Sequence, residues 1–346
     1  MKATSLLITI LAALASALPA AERPFGLVIH GGAGVIPREQ SSAEAEAEYR
    51  AKLQEALDAG YAVLASGGSA LDAVVAAIKP LEDSPLFNAG KGAVLNADGI
   101  CELDASIMDG RNLAAGAVAG ARRIKNPIVL ARAVMEKSPH VMFTGDGAER
   151  FAEQIGGIEF VPNEYFQTER RREELKRAQE KEKAAKGKKT ASAGEVSGLP
   201  NVGGVREPVY LGTVGCAALD KNGNLAAGTS TGGMTNKKFG RVGDSPIIGA
   251  GTYANNATCA LSATGHGEFF IRIGVARDVS AQMEYKGATL QEAAAASLEK
   301  VARLGGDGGM VAIDRDGNVA IPFNTPGMYR SFHLSTGASA IEIFGQ

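Results

Sequence analysis

The sequence predicts a single mixed α+β domain built from packed layers of strands and helices. Residues 27 to 167 alternate between strand-like and helix-like patterns, and the chain becomes strand-rich again from Leu211 onward. Hydrophobic residues make up 45% of the 346 residues, with 44 glycines and no tryptophan, which suits close backbone approaches. Because strands occur on both sides of a charged central stretch, one layered domain fits the pattern better than two independent ones.

The first residues have the features of an export signal. The chain starts with a basic residue at Lys2, residues 6–14 form an apolar stretch too short to span a membrane, and the small residues 15–21 offer cleavage sites. We therefore expect a signal peptide over residues 1–21 and an exported protein, periplasmic in a cell with two membranes. A retained membrane anchor is the alternative. The net charge of −2 provides no basic surface for nucleic acid, so the expected partners are small molecules and copies of the chain.

The region before residue 168 contains one clear strand and three helices. The strand is residues 27–30, which are apolar and end in a glycine-rich turn. In the helices, apolar residues recur every three to four positions, Ser69 provides a cap, and Pro127 occupies a favoured first position. The predicted helices are residues 42–64, one that begins at 69 and reaches 78, and one that runs from 126 to about 137.

Residues 168–204 form a different kind of segment. The stretch 169–183 is dominated by charged residues and lacks an apolar face, and small and polar residues follow it. Such a segment cannot bury enough apolar surface to offset the cost of ordering its backbone, so we expect a mobile linker. In one interpretation the linker lets the new chain end move away after a backbone cut. In the other it is an ordinary inserted surface loop.

The region after the linker contains two hairpins and two helices. Residues 213–219 and 225–229 flank a turn with Asn-Gly at its tip, and residues 309–313 and 319–321 flank a similar turn. The expected amphipathic helices are residues 267–283 and 289–302.

The segment that follows the linker also holds the strongest candidate for chemistry. Thr213 comes directly after Gly212 at the start of a predicted strand, and a second hydroxyl cluster that includes Thr231 follows one hairpin later. A threonine hydroxyl is a poor nucleophile until a base removes its proton, and a free α-amine on the same residue can be that base. A cut after Gly212 would therefore give Thr213 both a nucleophile and its activator.

Two further clusters would suit an amino-acid substrate. Arg241 and Asp244 are three positions apart, where the guanidinium could bind a carboxylate and the aspartate an ammonium group. A surface salt bridge is the alternative interpretation of this pair. Thr264 and Gly265 precede a helix start at Gly267, so a hydroxyl and backbone N–H groups could stabilise an oxyanion there.

Other reaction classes are poorly supported. The glycines after the first strand lack the third glycine of a dinucleotide site, and the single Gly-x-Ser-x-Gly match (residues 228–232) is not followed by a predicted helix, as a nucleophile elbow requires. The histidines are scattered without metal-ligand spacing, so a catalytic zinc is not expected. They are His30, His140, His266 and His333.

Five segments resemble the plant-type L-asparaginases with isoaspartyl peptidase activity, which are N-terminal-nucleophile hydrolases. They are HGGAG (30–34), LEDSPLFNAGKGAVLNADG (81–99), ELDASIMDG (102–110), AGAVAG (115–120) and residues 211–256. The resemblance covers nearly all of the chain after the signal, apart from the linker. It implies a four-layer αββα sandwich made as a precursor that cuts itself between Gly212 and Thr213. The products would be an alpha fragment (22–212) and a beta fragment (213–346), paired in a dimer of αβ units.

The resemblance also implies roles for individual residues. Thr213 is the nucleophile, supported by Thr231, Thr264, Gly265 and Asn88 in the catalytic site. The substrate-binding residues are Arg241, Asp244, Thr264, Gly265 and Gly267. No catalytic cofactor is implied, but a structural sodium would be held by backbone oxygens of Leu81, Glu82, Ser84, Phe87, Ala89 and Lys91. His266 departs from the family, which often has a small hydroxyl residue there, and could alter pH dependence or pocket volume.

Residues and resemblance together predict an amidohydrolase with a covalent intermediate on Thr213. It would convert L-asparagine to L-aspartate and ammonia and would hydrolyse β-aspartyl dipeptides. A glycosylasparaginase that acts on asparagine-linked glycans is the alternative with the same fold and nucleophile. An exported amino-acid-binding protein is an alternative of another class, and its chain would stay intact on a denaturing gel.

Overall fold

The structure, a computed structural model, describes residues 23–34, 41–190 and 212–345. The predicted signal peptide (1–21) and the second part of the predicted linker (191–204) lie outside the described residues. Within those three ranges, no helix combines the length and the apolar character needed to cross a membrane.

The described ranges contain eight α-helices and twelve strands. The helices are α1 (Ala43–Ala65), α2 (Ala70–Glu82), α3 (Pro127–Lys137), α4 (Gly145–Ile155), α5 (Glu169–Thr190), α6 (Gly267–Ile273), α7 (Val275–Lys286) and α8 (Leu290–Arg303). The strands are β1 (Gly26–Ala33), β2 (Leu103–Asp109), β3 (Ala115–Ala121), β4 (Met142–Thr144), β5 (Val214–Leu219), β6 (Leu225–Thr231), β7 (Thr252–Ala254), β8 (Cys259–Gly265), β9 (Gly308–Asp314), β10 (Val319–Ala320), β11 (Gly327–Leu334) and β12 (Ser339–Phe344).

These elements form four layers, as the sequence resemblance implied. One sheet has the strand order β12-β11-β1-β5-β6-β2-β3-β4, and the second has the order β10-β9-β8-β7. Helices α1 to α3 pack on the outer face of the large sheet, and α7 and α8 pack on the outer face of the small one. One hydrophobic core lies between the large sheet and its helices, and another lies against the second sheet. Side chains along β1 point alternately into these two cores, since Leu27 and Ile29 face the helices and Val28 faces the second sheet. The αββα sandwich is therefore confirmed.

The predicted helix starts are confirmed in the first half of the chain. Ser42 and Ser69 cap α1 and α2, with their side chains accepting hydrogen bonds from the N–H groups of Ala45 and Asp72 at 3.1 Å. The expected single helix over residues 267–283 is wrong, because Gly274 adopts a left-handed conformation with φ of +66° and divides it into α6 and α7.

The expectation that residues 168–204 have no packing of their own is wrong for the described part, which forms α5. Arg171 is buried, and its Nε donates to the Gly92 carbonyl oxygen at 2.8 Å. One and two helical turns further along, Leu175 is buried and Gln179 donates to the Ala97 carbonyl oxygen at 3.0 Å. This helix is held mainly by charged and polar contacts, which a search for an apolar face does not detect.

Candidate active site

The predicted nucleophile lies where two central strands meet. Thr213 immediately precedes β5, and Thr231 is the last residue of β6. The antiparallel pairing of Val214 with Ser230 brings the two threonines side by side, with 2.9 Å between their Oγ1 atoms. Both are buried, and Thr231 Oγ1 also accepts a hydrogen bond from the N–H of Gly233 at 3.0 Å. Thr231 is therefore placed to hold the Thr213 hydroxyl in one orientation.

The bond between Gly212 and Thr213 lies against Asn88. The N–H of Asn88 donates to the Gly212 carbonyl oxygen at 2.8 Å. The side chain of Asn88 is fixed in turn, because Nδ2 donates to the Gly233 carbonyl at 2.8 Å and Oδ1 accepts from the N–H of Val94 at 2.9 Å. A Cβ at position 212 would lie 2.9 Å from the Asn88 Cβ, so this close approach requires glycine. Attack on the Gly212 carbonyl would place negative charge on the oxygen that this N–H already contacts.

A pocket opens in front of the two threonines. It brings together five of the residues that the sequence selected, and Asn88, Thr264 and Gly267 are positioned just outside its lining. The pocket also includes four residues that sequence reasoning missed, two of which are glycines that carry no side-chain signal. The lining residues are Thr213, Thr231, Gly233, Met234, Arg241, Gly243, Asp244, Ser245 and Gly265.

Asp244, which lines this pocket, has an unsatisfied carboxylate oxygen. The residue is 4% exposed, and its Oδ2 has no hydrogen-bond partner among the described residues. Burial raises the pKa of Asp244 to about 7. A buried carboxylate oxygen without a partner is costly, and a cationic group would offset that cost. The site therefore has a built-in preference for a ligand that carries an ammonium group.

Arg241 is held in place by a residue that sequence reasoning missed. Its Nε and Nη2 donate to the two carboxylate oxygens of Glu268, each at 2.9 Å. Although burial opposes the effect, the hydrogen bonds from Arg241 lower the pKa of Glu268. This two-point contact uses one edge of the guanidinium and leaves Nη1 for another partner. The available signal was an acidic residue in the first turn of α6, which is usually only a helix-dipole feature.

Gly267 allows the clamp formed by Arg241 and Asp244 to close around the start of α6. A Cβ at this position would lie 2.8 Å from Asp244 Oδ1, 2.9 Å from the Asp244 N and 3.0 Å from Arg241 Nη2. Cβ atoms are essentially never found closer than 3.0 Å to such neighbours. Glycine at position 267 is therefore a steric requirement of the clamp.

The predicted oxyanion segment ends β8. Thr264 is fully buried, and its Oγ1 has no hydrogen-bond partner within the described part of the chain. Gly265 has φ of +156°, and a Cβ there would lie 2.6 Å from the Asp307 carbonyl oxygen. His266 does not line the pocket, and its Nδ1 accepts a hydrogen bond from the N–H of Asp307 at 3.2 Å. The Thr264 hydroxyl thus remains for the reaction centre, next to Gly265 in the pocket lining.

The predicted cation loop folds back on its own carbonyl oxygens. A Cβ at Gly90 would lie 2.3 Å from the Glu82 carbonyl oxygen, and a Cβ at Gly92 would lie 2.6 Å from that of Pro85 and 2.8 Å from that of Phe87. The Glu82 carbonyl oxygen accepts a hydrogen bond from the N–H of Lys91 at 2.7 Å, and that of Pro85 accepts one from Arg170 Nη2 at 3.2 Å. The described ranges contain no group of three or more acidic, histidine or cysteine side chains that could hold a metal.

The loop is tied to the strand that carries Thr231 through a buried carboxyl group. Glu82 accepts hydrogen bonds from Ser230 Oγ at 2.7 Å and from the N–H of Ile128 at 3.0 Å. Burial raises the pKa of Glu82 to about 8. This contact makes the loop part of the framework behind the nucleophile.

Comparisons with known proteins agree with this geometry. The asparaginase family model matches residues 23–343. The chain is 52% identical over 307 residues to an isoaspartyl peptidase of Escherichia coli, covering 88% of this chain and 92% of that protein. It is 43% identical over 333 residues to a probable isoaspartyl peptidase/L-asparaginase of Arabidopsis thaliana, covering 92% and 99%. An isoaspartyl peptidase/L-asparaginase of Mus musculus is 46% identical over 293 residues, covering 84% and 82%.

Proposed function

The chain belongs to the asparaginase family of N-terminal-nucleophile hydrolases, and we propose that it hydrolyses L-asparagine and β-aspartyl dipeptides. The observation that carries this proposal is the pairing of the Thr213 and Thr231 hydroxyls at 2.9 Å, in a pocket that also contains Arg241 and Asp244. The pocket therefore combines a nucleophile with groups that recognise an amino acid.

The first step is self-cleavage of the precursor. The Thr213 hydroxyl attacks the Gly212 carbonyl carbon, and the N–H of Asn88 stabilises the oxyanion. The C–N bond breaks and its nitrogen takes up a proton, which leaves an ester between Gly212 and the Thr213 oxygen. Water then hydrolyses this ester. The products are the 22–212 and 213–346 fragments, and the second begins with a free α-amine.

The second step is hydrolysis of the substrate. The α-amine of Thr213, with an ordinary pKa of about 7.7–8.0, accepts the hydroxyl proton. The hydroxyl oxygen attacks the side-chain carbonyl carbon, with Thr264 and Gly265 serving the oxyanion. Ammonia or the peptide amine leaves with a proton, and water releases aspartate from the Thr213 ester.

Substrate recognition follows from the charges of the clamp. The substrate ammonium pairs with Asp244, whose Oδ2 is otherwise unsatisfied, and its α-carboxylate binds the Arg241 edge that Glu268 does not use. Asparagine and β-aspartyl dipeptides carry the same two groups at the same spacing from the scissile carbonyl. One site can therefore serve both substrates.

Three finer features complete the proposal. The loop over residues 81–92 holds a structural sodium through main-chain oxygens of Leu81, Glu82, Ser84, Phe87, Ala89 and Lys91, supported by the resemblance of this loop to the family's sodium-binding loop. Residues 1–21 direct export and are removed, supported by their basic start and apolar core. The resemblance to the family supports a dimer of αβ units. Thermal unfolding in sodium chloride compared with choline chloride tests the sodium site. N-terminal sequencing of the exported protein tests removal of residues 1–21. Analytical ultracentrifugation tests the dimer.

A substrate panel tests the proposed function. Matured protein is assayed with asparagine, a β-aspartyl dipeptide and an asparagine-linked glycan, with Thr213→Ala as the control. We expect aspartate from the first two substrates and none from the control. Turnover of the glycan alone would instead support a glycosylasparaginase, and binding of asparagine by an uncut, inactive chain would support an amino-acid-binding protein.

A further inference from the structure

A fully buried histidine contacts the main chain of the nucleophile. His30 lies in β1, and its Nδ1 is 3.1 Å from the carbonyl oxygen of Thr213. Its Nε2 is 2.9 Å from the Oγ of Ser262 in the second sheet. His30 is paired with Gly215 across β1 and β5, and a Cβ at Gly215 would lie 2.5 Å from Nε2 and 1.9 Å from Ser262 Oγ. Glycine at position 215 is thus what allows the contact between histidine and serine.

The partners of His30 fix its tautomer. A carbonyl oxygen only accepts hydrogen bonds, so Nδ1 must carry the proton and donate to Thr213. Burial lowers the pKa of His30 to about 3, so the ring is neutral and Nε2 accepts from the Ser262 hydroxyl. Neither nitrogen contacts the Thr213 hydroxyl, whose described partner is Thr231. His30 therefore orients the nucleophile without exchanging a proton with it.

A chain of hydroxyl groups continues from Ser262 into the interior of the sandwich. Successive oxygens of Ser262, Thr229, Thr252 and Ser106 are 2.7, 2.5 and 2.8 Å apart. Because Ser262 donates to His30, each following hydroxyl donates to the one before it, so Ser106 donates to Thr252. All of these residues are buried, and they alternate between the two sheets. The chain ends at Ser106 and acts on the nucleophile through the orientation of the His30 ring.

We propose that His30 is a positioning residue that fixes the Thr213 main chain through its Nδ1–H, with the buried hydroxyl chain setting the orientation of its ring. This inference rests on the proposed function. After self-cleavage Thr213 is a chain end, and rotation about its ψ angle moves the α-amine and the side chain relative to its carbonyl. The hydrogen bond from His30 fixes the carbonyl on one side of this bond and the contact with Thr231 fixes the side-chain oxygen on the other, so the two together restrict that rotation. They therefore hold the base and the nucleophile in the geometry that the reaction needs.

Two amide substitutions separate the two hydrogen bonds of the ring. Asparagine carries its amide nitrogen at the position of Nδ1, and glutamine carries its amide at the position of Nε2. We expect His30→Asn to retain a kcat about 10-fold or more above that of His30→Gln, since loss of a buried hydrogen bond has roughly that effect. KM should stay within about threefold of wild type in both, because Arg241 and Asp244 are unchanged. Activity is expressed per mole of free Thr213 N-terminus, so that differences in self-cleavage do not enter.

Equal kcat losses in the two variants, including two inactive proteins, would overturn the proposal, as would a higher kcat for His30→Gln. Ser262→Ala gives a second measurement, because it leaves the histidine in place and removes the partner of Nε2. We expect it to lower kcat alone, and we expect less than additive losses when it is combined with His30→Asn. Additive losses would show that the residues act separately and would contradict the proposal. If wild type itself hydrolyses neither asparagine nor the dipeptide, the proposed function has failed instead.

Discussion

Gly267→Ala is the substitution that tests the clamp most sharply. Its Cβ would stand 2.8 Å from Asp244 Oδ1 and 3.0 Å from Arg241 Nη2, whereas ordinary contact begins at 3.4 Å. The backbone N of Asp244 would also lie 2.9 Å from this Cβ, so the Asp244 main chain and both side chains must move by roughly half an ångström. A displacement of ~1 Å in a catalytic site can cost about 100-fold, so we expect kcat/KM to fall about 10-fold, or ~1.4 kcal/mol.

The same substitution should leave the fold intact. Gly267 is the first residue of α6, and alanine is a better helix former than glycine by up to ~1 kcal/mol. Gly147→Ala is the matched control, since it also lies in the first turn of a helix and the nearest heavy atom to its Cβ is 4.0 Å away. Steady-state kinetics with asparagine and urea unfolding measure the two effects. Wild-type kcat/KM in Gly267→Ala, or an equal loss in the control, would refute the steric argument.

Three further predictions follow from charged side chains around the site. Arg241→Lys should lose nearly as much kcat/KM as Arg241→Ala, about 2–5 kcal/mol, because an ammonium cannot reproduce the guanidinium edge; full rescue by lysine would contradict this. The raised pKa of Asp244, from 3.8 to about 7, means that the folded state keeps this proton longer than the unfolded state. The protonated Asp244 carboxyl therefore contributes its full share to the free energy of unfolding below about pH 4, and this share is lost as the pH rises to about 7. Urea titrations over a pH series measure this loss, which should be absent in Asp244→Asn. Glu182→Ala should raise KM about two- to fivefold, since Glu182 pairs with Lys238 near the clamp, whereas the exposed Glu180→Ala should not; equal KM values would count against a role for α5.

The residues that sequence reasoning found share a recognisable local pattern. Thr213 follows a glycine at a strand start, Thr231 ends the next strand, and Arg241 and Asp244 are separated by two residues. The hairpin between the first two fixes their distance, so the pair could be predicted from the chain alone. The layers followed from the alternation of apolar residues and from the family resemblance.

The contacts that were missed join parts of the chain that only the fold brings together. The N–H of Asn88 on the Gly212 carbonyl is a main-chain contact, so no side-chain pattern predicts it. The Glu268 carboxylate on Arg241 depends on how α6 starts beside the clamp. Helix α5 was missed for another reason. Its buried Arg171 is anchored by a hydrogen bond to the Gly92 carbonyl, and a polar anchor of this kind leaves no apolar face in the sequence.

Intact mass and N-terminal sequencing of the purified protein test the central claim, that Thr213 is a nucleophile released by its own attack on Gly212. Wild type should give two fragments, with the second beginning at Thr213, and Thr213→Ala should remain one chain because the attacking oxygen is gone. Thr213→Ser keeps a hydroxyl and should still be cut. A different new N-terminus in wild type, or efficient cutting of Thr213→Ala, would contradict the account.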